Sequence, residues 1–72
     1  MANMKKLKLK LKEKGLSVED VSKTMGINRA TFYRKIKNDG ETFTVGDIDK
    51  LSRILGLQVD EINEIFFAQN VA

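Results

Sequence analysis

The chain has no cysteine and no histidine. Lacking cysteine, it has no disulfide framework, no thiol nucleophile and no cysteine-based zinc site. Lacking histidine, it misses the commonest general base, and any metal would have to be held by carboxylates. No apolar run reaches the length of a membrane span, and the basic start of the chain is not followed by the apolar stretch of a leader. At 72 residues there is room for one small domain with a marginal core, which dimerisation or a ligand would help. These absences read as a cytoplasmic protein with no cofactor, no membrane partner and no small-molecule substrate.

What is present is charge, unevenly placed. The formal net charge is +3. Residues 1–37 carry eleven Lys or Arg against Glu13, Glu19 and Asp20, a net of +8. Residues 38–72 carry Lys50 and Arg53 against seven acids, a net of −5. A basic half beside an acidic half is what a single nucleic-acid-facing surface would produce. Plain solubility charge is the alternative, and charge alone does not choose between them.

The stretch 17–37, SVEDVSKTMGINRATFYRKIK, organises the rest. Ser17 caps a first short helix, answered by Asp20 three residues on. Val18, Val21 and Met25 then fall at i, i+3 and i+7, one helical face. Gly26 ends that helix in a left-handed conformation, Ile27 plugs the turn and Asn28 caps a second helix. In this second helix Phe32 and Ile36 point one way. Ala30, Arg34 and Lys37 point the other, with Thr31 and Tyr33 at the edges. An outward face of Arg, Lys, Tyr, Thr and a small Ala suits the edges of DNA bases better than a protein core. Two short helices around a glycine turn, the second basic and outward-facing, make a helix-turn-helix.

LSVEDVSKTMGINRATFYRKI resembles the helix-turn-helix of the lambda-repressor and Cro-like family, often called the Xre type. FTVGDIDKLSRILGLQVDEI resembles that family's fourth helix and the Leu-Gly-Leu that leads into a fifth. The resemblance runs from about Leu7 to Phe67. It implies an all-α fold, a compact bundle of five short helices, with the helix-turn-helix at about 17–37.

Along the rest of the chain, MKKLKLKLKEK from Met4 to Lys14 reads two ways. Leu7, Leu9 and Leu11 alternate with Lys as a strand would, yet Met4, Leu7 and Leu11 also share a helical face. No second β-rich run exists to pair with a strand, so a helix ending at Gly15 is predicted, with Leu9 off its main face. Lys37 to Thr42 is a polar loop with an Asp-Gly turn, and Phe43 returns the chain to the core. Thr44 and Asp47 cap a helix with Ile48, Leu51 and Leu55 on one face, ended by Gly56. Gln58 is a weak cap for the last helix, 59–67, helped by Asp60 and Glu61 in its first turn. Val59, Ile62, Ile65 and Phe66 form a broad apolar face there. Phe66 and Phe67 together offer a candidate homodimer seam, while Phe67 could equally fold back over Leu9. Residues 68–72 read as a frayed end.

By family position, Arg29, Ala30, Tyr33 and Arg34 are the base-contacting residues of double-stranded DNA. Arg pairs bidentately with guanine, and Ala30 can touch only a thymine methyl. Thr31, Lys35, Lys37, Asn38 and Thr42 lie where the family clasps phosphates, with Ser17 and Lys23 adding contacts from the second helix. Val18 departs from the pattern, standing where a backbone-contacting Gln is common, which shifts reliance to the lysines of the first helix. The resemblance implies a phage-type repressor, a homodimer on a pseudo-palindromic operator. An antitoxin-like interaction module and an RNA binder are the competing readings. Catalysis finds no support, since Glu13, Asp20 and Glu61 have cap or surface-charge roles and no nucleophile accompanies them.

Overall fold

The ambiguous lysine–leucine run resolves by burial. In the computed structural model, which describes residues 2–67, Met4, Leu7 and Leu11 are buried while Leu9 is 55% exposed. That is the helical spacing, and α1 spans Met4–Glu13. It is followed by α2 (Val18–Met25), α3 (Arg29–Lys37), α4 (Val45–Leu55) and α5 (Val59–Phe66). The five helices are those expected, all-α among the described residues. The expected frayed end, 68–72, lies outside those residues.

Four of the five helices start on a side-chain acceptor at the cap. Asn3 accepts from the Lys6 amide and Asn28 from the Ala30 amide. Ser17 with Asp20, and Thr44 with Asp47, form full capping boxes in which each partner satisfies the other's free amide. At α5 the weak cap at Gln58 is made good from within the helix, where the Glu61 carboxylate accepts the Gln58 N–H at 2.9 Å. Each such cap stabilises its helix by about 1 kcal/mol.

Four helix ends repeat one device. The amides of Leu16, Ile27, Gly40 and Leu57 reach back five residues, to the carbonyls of Leu11, Ser22, Lys35 and Ser52. The residue before each is left-handed, a glycine in three cases and Asp39 (φ 58°) after α3. Leu16, Ile27 and Leu57 then turn down onto the core. After α3 the same position is Gly40. Gly40 is itself left-handed at φ 74°, and a Cβ there would lie 2.6 Å from the Met4 methyl carbon, so the Met4 side chain would have to shift.

α2 packs on α3 and α4, while α1 and α4 pack on α5. Val21, Phe32, Leu51, Leu55, Leu7 and Ile65 are fully enclosed. Phe43 stands between Phe32 at 5.6 Å and Phe66 at 5.8 Å, edge-to-face with both rings. This corrects the expectation for Phe66. It is 7% exposed and belongs to the core of one chain, so it is not available to a dimer seam. Phe67 is half exposed. The apolar face of α5 is also narrower than expected, because Val59 is 74% exposed at its first turn.

The charge asymmetry is partly consumed inside the fold. Lys6 pairs with Glu64 and Lys10 with Glu61, which ties α1 to α5, while Lys10 also pairs with Glu13 along α1 itself. The Glu61 carboxylate is held below its ordinary 4.5 by the Lys10 ammonium and then by the Gln58 amide. Lys10 is raised above 10.5, chiefly by its bond to Glu61.

Candidate nucleic-acid interface

The turn between α2 and α3 sets the site. Gly26, left-handed at φ 76°, reverses the chain, and half-buried Ile27 anchors it to the core. Asn28 accepts the Ala30 amide at 2.7 Å and starts α3 at once. Phe32 and Ile36 bury the inner face of α3. The opposite face is therefore fixed, and Arg29, Ala30, Tyr33, Arg34 and Lys37 line one open trough along it. All four residues expected to contact bases are thus brought together on one helix surface, joined by Lys37.

The cations of this trough are nearly uncommitted. Arg29 stands 3.9 Å from the Glu19 carboxylate across the α2–α3 turn, with both side chains more than three-fifths exposed. At that distance and exposure the pair is worth little. Arg34 and Lys37 form no ion pair among the described residues. Tyr33 is 52% exposed.

A second hollow runs along the flank of α3 that faces the following loop. Thr31, Arg34, Lys35, Asn38 and Thr42 line it, and Lys37, Asn38 and Thr42 continue into a third beside Asp39 and Glu41. Five of the expected phosphate-contacting residues thus gather here. Lys35 has different surroundings from its neighbours. Its ammonium lies 3.2 Å from Asp47, donates to the Thr42 carbonyl at 3.0 Å and sits 5.7 Å over the Phe43 ring. It ties α3 to the loop and to the cap of α4. Burial pushes the Asp47 carboxyl up, but the Thr44 amide and Lys35 outweigh it and hold it below 3.8.

Ser17 and Lys23 are exposed on α2. The Ser17 hydroxyl is occupied, donating to the Asp20 carboxylate at 2.8 Å while accepting the Asp20 amide. The Ser17 amide and hydroxyl hold Asp20 below 3.8. An acid already fills the N-terminus of α2, where an incoming phosphate would otherwise sit.

Sequence reasoning missed Glu19, and it pointed to the lysines of the first helix without singling out Lys8. Glu19 reaches Arg29 across the turn, and Lys8 of α1 comes beside Tyr33 and Lys37. Glu19 carries a local signal, being an acid ten residues before Arg29 on the other arm of the turn. Lys8 carries none, since only the packing of α1 brings it there.

A capped helix, a glycine turn and a second helix offering a basic outward face define a helix-turn-helix DNA-binding protein. A model of the Cro/C1-type HTH DNA-binding domain matches residues 6–67, and the chain belongs to that family. Comparison with curated proteins and with solved structures returned no match. Double-stranded DNA is accordingly its partner. No helix among the described residues is long and apolar enough to cross a membrane.

Proposed function

We propose that the chain acts as one helix-turn-helix domain that represses transcription in the manner of a phage-type repressor. As a homodimer it occupies a pseudo-palindromic operator, with α3 of each copy in the major groove. The observation that carries this reading is the trough of Arg29, Ala30, Tyr33, Arg34 and Lys37 on the face of α3 opposite its buried Phe32 and Ile36. Arg29 and Arg34 read guanine, and Ala30 leaves space for a thymine methyl.

Thr31, Asn38 and Thr42 hold the backbone on the loop flank and Lys37 holds it from the end of the trough, joined from α2 by Lys23 and by the Ser17 end of that helix. Lys35 acts mainly by holding that flank in shape. About six phosphates per copy would make log K fall by about 0.9 per phosphate with log salt. Two copies on half-sites about 34–36 Å apart supply the affinity that one small domain lacks. Phe67 and Leu9, each about half exposed, are the apolar side chains offered for contact between copies.

Selection of bound sequences from random duplex DNA at near-physiological salt tests the proposal. The expected outcome is a palindromic consensus with guanines opposite Arg29 and Arg34. Recovery of an unenriched pool would remove the operator reading.

A further inference from the structure

The flank of α3 that faces α1 carries a hollow of its own, lined by Met4, Lys8, Tyr33, Ile36, Lys37 and Asp39. Tyr33 and Lys37 also line the trough, so the two surfaces are continuous. A helix seated in a major groove lies between the phosphate backbones of both strands. The loop flank, with Thr31, Asn38 and Thr42, can meet only one of them. The other strand then runs past the α1 flank.

Lys8 is the α1 lysine suited to meet it. Lys6 and Lys10 are committed to Glu64 and Glu61, whereas Lys8 is exposed and makes no ion pair among the described residues. Met4 and Ile36 are buried and form an apolar floor. Lys8, Lys37 and Asp39 line the same hollow, so two cations and one acid share it. We infer that Lys8, Tyr33 and Lys37 form a seat for one backbone phosphate on the strand opposite the loop flank. Tyr33 then serves the backbone through its hydroxyl and reads no base. The seat extends the interface onto α1, outside the helix-turn-helix itself, and it rests on α3 being the helix that enters the groove.

The test uses the full chain, with affinity measured by fluorescence anisotropy on a selected duplex and on a random-sequence duplex across a salt series. Lys8→Gln is expected to weaken both complexes several-fold and equally, with a salt slope shallower by about 0.9. Tyr33→Phe should also weaken both equally and keep their ratio. Circular dichroism melts check that both variants stay folded, as exposed positions should. Lys5→Gln, on the part of α1 beside Leu9 and Glu13, should leave the slope unchanged.

Lys8→Gln with unaltered affinity and slope would overturn the seat, while loss of discrimination in Arg34→Ala would still support the groove reading. If Arg34→Ala also changed nothing, the reading of α3 would fall and the seat with it. A Tyr33→Phe variant that shifted preference at one base pair would return Tyr33 to base reading.

Discussion

The α1–α5 seam and the outer face of α3 are built from similar side chains and do opposite things. At the seam, Lys6 and Lys10 meet Glu64 and Glu61 across the two helices, and their charge is committed there. On α3, Arg34 and Lys37 face open space, and Arg29 meets only a distant Glu19. The half of the chain with a net of +8 is therefore not one surface. A lysine count overstates an interface whenever an acidic helix packs alongside. What marks a face for DNA is cationic side chains that the fold leaves without partners.

The strongest way to break the comparison is to remove what both regions share. Phe43 bridges Phe32 of α3 and Phe66 of α5, so Phe43→Ala opens a cavity beneath both at once. It should cost about 3–5 kcal/mol, enough to unfold much of a domain this small, read as loss of the thermal transition. Arg34→Ala sharpens the comparison from the side of α3. Specific binding should fall by roughly tenfold to a hundredfold, with relaxed preference at one base pair and an unchanged melting temperature.

Lys10→Gln sharpens it from the seam. DNA affinity and its salt slope should stay as they are. The melting temperature should drop slightly at low salt, and the difference should vanish at high salt, where the native pair is already screened. The seam and the two capping acids together have a pH signature. Glu61, Asp20 and Asp47 are lowered by folding, so their contribution is full above 4.5 and is lost as pH falls below 3.8. Lys10 is raised, so its contribution is full below 10.5 and is lost as pH rises past that value. Melting temperature should thus hold a plateau between these limits, and Lys10→Gln should flatten its alkaline edge.

Most of the fold was legible because its signals are local. Caps at Ser17, Asn28 and Thr44, and glycines at 15, 26 and 56, act within a few residues, and periodicity assigned Leu7, Phe32 and Leu51 to the core. The outward face of α3 came from the same arithmetic. What stayed hidden depends on pairing between distant segments. Nothing near Phe66 announces that Phe43 will meet its edge, or that Val59, at the start of the same helix, will stay in solvent. Lys35 looks like Lys37 until the α4 cap arrives beneath it with Asp47. Lys6 and Lys10 look like Lys8 until α5 packs across two of the three.

α3 stands on the core through Phe32 and Ile36. Its caps and its ties at Asn28, Lys35 and Gly40 all lie outside positions 29, 30, 33 and 34. Those four side chains can therefore vary with little penalty to folding, and on the proposed reading drift at 29, 30 and 34 would alter which sequence is recognised before it altered whether the protein survives. The domain is in that sense a mount with an exchangeable reading head. A library randomised at the four positions should yield mostly folded members with divergent targets, the kind of plasticity that lets related regulators share a cell without answering to one another's operators.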